Sequence, residues 1–302
     1  MRYFKLENSS GSSFDITNEE FFFHDVTGLG FDEENNFRRV GPVWRLTSTA
    51  YAQSKPGGKM MFTEYGSGTP YDKYDVFKRF ISQPPLTLIY YPNGLGTTAY
   101  RKKVRVSKLG KTEITELGVL DCDIEFVSYS PWYEIRHYEI IPITVDENAG
   151  WIWDVGNSWD RSDEDLTSPR YKFGAEARNE IIFDCESNMK GLIKLTINGP
   201  AINPVWTHHV DGKVVELGGF AAGNDVTLTE SDRLIIDNTE GQYSMIIENT
   251  QTLVKRNVYS LQDFDKECFF TIEGGRNMFA VASADETALN VELEGHFHYA
   301  TV

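Results

Sequence analysis

Few side chains in this chain could do chemistry, and the adjacent pair His208 and His209, with Asp211 close behind, is the first to weigh. Two imidazoles that share a metal ion must converge on it together with a third or fourth ligand. Asp211-Gly212 is a strong two-residue hairpin signal. A turn there sets Val210 opposite Lys213, His209 opposite Val214, His208 opposite Val215 and Trp206 opposite Leu217. Successive strand residues point to opposite faces, so His208 falls with Trp206 and Leu217 on an apolar face. His209 falls with Thr207 and Glu216 on a polar one. The pair diverges and reads as structural. His296 and His298, two apart in "GHFHY", do share a strand face, but the sequence brings no third ligand near them. No metal and no cofactor are expected.

Other strings fail on context. "GLGTTA" after "LTLIYYPN" matches a dinucleotide-binding fingerprint, yet "YRKKVRVSK" follows it with a strand pattern where the pyrophosphate needs a helix N-terminus. No P-loop, HExxH or GxSxG string occurs. Asp121 and Asp123 could serve glycoside hydrolysis as a carboxylate pair. In "VLDCDIEFVSYS", however, they alternate with Leu120, Cys122, Ile124 and Phe126, which makes them the wet face of a half-buried strand. Cys122, Cys185 and Cys268 are widely spaced and form no CxxC, so each reads as a small buried hydrophobe. Arg101, Lys103 and Arg105 share one face of a strand with no aromatics interleaved, which suits a wet or inter-subunit face better than a nucleic-acid stripe. Trp151, Trp153 and Trp159, in the acidic segment 146–169, form the one cluster suited to a ligand. Indoles stack on sugar rings, and acidic loops take calcium or sugar hydroxyls. The same tryptophans would equally clamp a long loop or make a subunit contact. No catalytic constellation emerges, and the chain is expected not to be an enzyme.

The elements that carry these residues are mostly strands. The 302 residues suit two domains, and a 40% hydrophobic, 25% charged composition describes a folded chain. Residues 1–135 hold 16 Lys and Arg against 17 Asp and Glu, while residues 136–302 hold 13 against 28, so the net charge of −16 sits almost wholly in the second part. That step supports a boundary near Pro131, and so acidic a second half argues against nucleic acid as a partner. No apolar run of about 18 residues is present and the N-terminus does not read as a secretory signal, so no membrane contact is expected. In the first half "VWRLTSTAYAQ" and "KMMFTEY", joined by "SKPGG", predict a long hairpin over 43–65. "TPYDKYDVFKRFISQPP" predicts a helix with Thr69 as N-cap, Pro70 at its first position, Tyr74, Phe77 and Ile81 on one face, and Pro84-Pro85 after its end. The second half has short strands every 8–12 residues, the pattern of a β-sandwich.

The order of "GLGF", the long hairpin, "PYDKYDVFKRFI", "LTLIYY", "YRKKVRV" and "SPWY" resembles the N-terminal belt domain of siphophage distal tail proteins. "LTINGPAINPVW", "LIID" and "EGGRNMF" resemble their galectin-like C-terminal sandwich. The resemblance implies a mostly β protein with a ring-forming belt domain at 1–135 and a galectin-like β-sandwich at 136–302. It implies a structural virion protein at the tail tip, made in the host cytoplasm, with no catalytic residues. It also implies a homohexameric ring between the major tail tube protein and a tail-associated fibre or lysin protein, with receptor-binding or baseplate proteins nearby. The hairpin at 43–65 would then reach a neighbouring copy, with Tyr51, Met61 and Phe62 as candidate anchors of the contact. The competing expectation is a monomeric carbohydrate-binding module that uses Trp151, Trp153 and Trp159.

Overall fold

Thr69 starts the α-helix, α1 (Pro70–Ile81), through a reciprocal cap: its hydroxyl accepts from the Asp72 N–H, and the Asp72 carboxylate accepts from the Thr69 N–H at 2.9 Å. In this computed structural model the described residues are 2–30, 33–140, 151–154, 170–173, 180–239, 243–285 and 289–302, with backbone alone for Tyr51, 151–154 and 170–173. They fold as two compact units. The first is Met1–Ile135 with Ser187–Met189 and His296–Val302; the second is Arg136–Glu186 with Lys190–Gly295. No helix among the described residues is long and apolar enough to cross a membrane.

The first unit comprises β1 (Tyr3–Glu7), β2 (Ser13–Asp15), β3 (Phe21–Thr27), β4 (Glu33–Val40), β5 (Val43–Tyr51), β6 (Gly57–Phe62), α1, β7 (Leu86–Tyr91), β8 (Tyr100–Leu109), β9 (Leu120–Ser128) and the start of β10 (Trp132–Ile140). Its antiparallel sheet runs β2-β1-β7-β8-β9-β6-β3. Ile16 draws the two ends of that order together: its N–H donates to Phe4 O at 3.3 Å and its carbonyl accepts from Phe23 N at 2.7 Å. Inside lie Phe4, Leu6, Met60, Cys122, Phe126 and Trp132, all buried. Strand β9 alternates as its sequence predicts, with Leu120, Cys122, Ile124 and Phe126 inward. Tyr74 and Phe77 of α1 pack on Phe62, edge-on and tilted, with ring centroids 5.6 and 5.8 Å apart.

The hairpin expected over 43–65 does not form. β5 pairs with β4, and β6 lies between β3 and β9. The "SKPGG" stretch is the entry to a central strand, and the glycines serve that crowding. A Cβ on Gly58 would meet His24 O at 2.5 Å, and one on Gly57 would meet Ile124 O at 3.1 Å.

The second unit holds β11 (Trp151–Asp154) paired with β12 (Arg170–Phe173), then β13 (Glu180–Cys185), β14 (Gly191–Asn198), β15 (Ala201–Ile202), β16 (Val205–Val210), β17 (Lys213–Gly218), β18 (Thr227–Leu228), β19 (Asp232–Asp237), β20 (Ser244–Asn249), β21 (Lys255–Asn257), β22 (Thr271–Ile272), β23 (Gly275–Ala282) and most of β24 (Asn290–Tyr299). One antiparallel sheet runs β13-β23-β16-β17; another places β24, β14, β19, β20 and β21 side by side. Strand β13 buries alternate residues, with Ile181, Phe183 and Cys185 inward.

The Asp211-Gly212 turn is where the sequence puts it, but the register beyond it differs. A bulge leaves Val215 unpaired, so Glu216 opposes His208 and Leu217 opposes Thr207. His208 is fully buried with Trp206, as expected, whereas Glu216 joins it instead of lying with His209. The His208 ring stacks on Phe279 at 4.3 Å; its Nε2 donates to Asn277 Oδ1 at 2.9 Å and its Nδ1 faces Glu216 Oε2 at 3.3 Å. It is a packed core histidine.

Candidate assembly surface

Val40 and Val43 face each other across Gly41-Pro42, and this turn shapes the most exposed element of the first unit. Gly41 takes φ +63° with open space around it, the conformation that a two-residue hairpin asks of its first central residue. The ribbon β4–β5 that results is held by its own ladder and a few polar pairs near its root. Thr49 Oγ1 donates to Asn35 Oδ1 at 2.8 Å, Asn36 Nδ2 donates to Ser48 Oγ at 3.1 Å, and Thr47, bulged out of the ladder, donates from its hydroxyl to Asn36 O at 2.9 Å.

Toward the tip the composition changes from polar to apolar and basic. Phe37 opposes Leu46 and Arg39 opposes Trp44 on one face; Arg38 opposes Arg45 and Val40 opposes Val43 on the other. Every residue from Glu33 to Ala50 is exposed, with Phe37 at 56%, Trp44 at 66% and Leu46 at 55%. Both faces therefore carry apolar side chains in water. Arg38 and Arg45 stand directly across from each other, a like-charge pair that destabilises a ribbon unless a carboxylate joins it. Arg39 Nε donates to Gly41 O at 3.1 Å. The arrangement can bury apolar surface and pair three guanidiniums with an acidic partner. It holds no group placed for catalysis.

Of the three anchors proposed from sequence, Met61 and Phe62 lie on β6, off the ribbon, and Tyr51 lies at its root. Phe62 is fully buried against Phe21, Tyr74 and Phe77, so no neighbour can reach it. Met61, on the other face of β6, is half-buried. Tyr51 ends β5 opposite Glu33, and its side chain is outside the described residues. The residues that the sequence reading missed are Phe37, Arg38, Arg39, Val40, Val43, Trp44, Arg45 and Leu46. "RRVGPVWR" carried the signal, a glycine at the first turn position between apolar residues, but the Pro-Gly-Gly of 56–58 drew the turn instead.

Trp151 and Trp153 lie on β11, opposite Phe173 and Tyr171 in the backbone ladder; their side chains, and Trp159 entirely, are outside the described residues. Asp121 meets His24 at 3.2 Å and Lys59 at 3.5 Å, while Asp123 meets Lys108 at 3.7 Å, so the two acids make surface ion pairs. His296 stacks on Tyr133 at 5.1 Å, and among the described residues no group of three or more His, Cys, Asp and Glu could hold a metal ion.

Residues 3–129 match the family model described as distal tail protein, N-terminal domain. No curated protein matches the chain. A chain of the phage p2 baseplate in its activated conformation, solved with strontium and again with calcium, is 16% identical with a TM-score of 0.64, each chain covered over 100% of its length. The crystal structure of SPP1 Dit, described as a paradigm of the hub adsorption apparatus in phages that infect Gram-positive hosts, is 8% identical with a TM-score of 0.58. That likeness covers 97% of this chain and 98% of that one. At these identities the likeness is one of fold.

Proposed function

We propose that the chain is a distal tail protein, a structural component of the phage tail tip and baseplate, on the match of residues 3–129 to that family's N-terminal domain, and that its copies close into a ring through the β4–β5 arm. The observation that carries this reading is the arm. A lone two-stranded ribbon is marginally stable in water, and this one exposes aromatic and aliphatic side chains on both faces. A second copy of a chain with net charge −16 supplies the carboxylates that Arg38, Arg39 and Arg45 lack within the ribbon. A head-to-tail contact of this kind, arm of one copy on the body of the next, gives a closed ring when its rotation closes.

Six copies are the expected number, with the second, galectin-like unit directed away from the ring. The ring joins the tail tube to the tail-associated fibre or lysin protein and to receptor-binding proteins. The near-neutral charge of residues 1–135 suits packing against copies of itself, and the excess of acid beyond residue 135 suits an outward, wet position. Particle imaging of the purified full chain tests the reading: closed rings with six-fold symmetry are expected, and open chains or single copies at high concentration overturn it.

A further inference from the structure

The first unit buries two lysines, Lys73 and Lys102, each 3% exposed, and they differ in what meets the ammonium group. Lys73 Nζ donates to Thr63 O at 2.9 Å and to Tyr65 O, with Glu20 at 3.8 Å. Lys102 has no such set. On β8 it points inward with Val104, while Arg101 and Lys103 turn the other way. Its Nζ stands 4.9 Å from the centroid of the buried Trp132 ring, and among the described residues neither a carboxylate nor a carbonyl takes a hydrogen bond from it. Burial pushes its pKa down to about 8, so at neutral pH the charged form still prevails. A cation whose side chain is buried in this way is stabilised when an opposite charge is brought to it.

Lys102 lines a cavity of about 330 Å³, whose wall includes Gln53, Ser54, Ser128 and Ser130. Gly30 and Ala52, just outside the two ends of the arm, border the same space. The polar wall is tied together internally. The Ser54 and Ser128 hydroxyls are 2.9 Å apart, Ser128 Oγ donates to Ser54 O at 2.9 Å, and Gln53 Nε2 donates to Ser128 O at 2.7 Å, which leaves one amide hydrogen over. Lys102 thus brings to the cavity wall a cation that no hydrogen-bond acceptor among the described residues meets, and a singly charged acceptor balances it.

We propose that this cavity at the root of the arm is a carboxylate-binding site with Lys102 as its charged partner. The carboxylate comes either free from solution or from an Asp or Glu side chain of a second copy, of which each chain carries 45. The second source rests on the ring reading; the first stands without it.

The test uses the full chain and Lys102→Met, each in sodium acetate and in sodium chloride at equal ionic strength. Methionine keeps an apolar chain of similar length against Trp132 and removes the charge, so the variant is expected to fold. If the site takes a free carboxylate, acetate at about 0.1 M raises the melting temperature of the native chain by a few degrees over chloride and leaves the variant unmoved. If a second copy supplies the carboxylate, acetate does nothing, and the variant dissociates from its assemblies at about tenfold higher concentration. Identical responses of both proteins to acetate, together with identical assembly, overturn the proposal. A chain that never assembles ends the ring reading and leaves the acetate comparison to decide this one. Should Lys102→Met fail to fold, amine acylation of the native chain, read at Lys102 by peptide mass spectrometry, decides instead: slowing by acetate or by assembly supports the site, and one rate in all conditions overturns it.

Discussion

Two hairpins in this chain obey the same local rule and meet different fates. β4–β5 turns on Gly41-Pro42, β16–β17 on Asp211-Gly212, and each carries a single bulge. β16 has a third strand, β23, along its other edge, and so places Trp206 and His208 in a core. Among the described residues β4 and β5 have only each other, and their apolar side chains are exposed. A turn specifies a ribbon, but a third strand or a packed face is what stabilises it. On the ring reading, a second copy supplies the partner that the described residues of one copy do not. That is the physical content of calling β4–β5 an arm.

The comparison breaks most visibly at the aromatic residues. Replacing Phe37, Trp44 and Leu46 together by Ser is expected to abolish assembly, measured by mass in solution, while leaving the melting temperature of the single chain unchanged. If that triple variant instead lowers the melting temperature by several degrees, the ribbon packs within its own copy. Trp206→Ala should do the reverse, lowering stability by about 3–5 kcal/mol in urea titration, since it empties a fully packed site and strands the Cys268 carbonyl that the indole N–H meets at 3.1 Å. A loss under about 1 kcal/mol would contradict the core role given to β16.

Smaller effects sharpen the picture. Gly58→Ala should cost about 1–3 kcal/mol, because the added methyl group meets His24 O. Equal stability of this variant would mean that the 56–58 stretch is a free turn after all. The smallest effect is at the helix cap. Hydrogen bonds from the Thr69 backbone and side chain hold the Asp72 carboxyl below its ordinary pKa. A lowered folded pKa contributes stability that is present above the unfolded value and lost as pH falls through the folded one. Thr69→Ala should therefore flatten the decline of helix stability on the acid side, read by circular dichroism against pH; an unchanged acid limb would remove the cap from the account.

How much of this was legible from residues alone varies with how local the cause is. The helix was, because Thr69, Pro70 and the spacing of Tyr74 and Phe77 are all read within a dozen residues. The alternation of β9 and the burial of His208 were too, since a period of two needs no knowledge of the rest of the chain. The partner of β5 was not. Two turn signals competed for it, and the choice between them depends on β3 and β9 closing around Gly57 and Gly58, contacts made by residues far away in sequence. Misplacing the turn moved Met61 and Phe62 onto the arm and left Trp44 unnoticed as an anchor. The bulge at Val215 is of the same kind: it gives Glu216 to His208, and nothing in "DGKVVEL" announces it. Lys102 escaped notice because a basic run reads as a wet face, and only its register on β8 turns it inward.

The claim that the arm closes the ring is tested most directly by the mass in solution of the full chain beside a variant in which residues 37–47 are replaced by Asn-Gly, a turn that keeps Asn36 opposite Ser48 and the root of the ribbon paired. The account predicts a discrete multi-copy mass, of six chains, for the first and a single-copy mass for the second, with the two melting alike. Rings of the same mass from the shortened variant would contradict it.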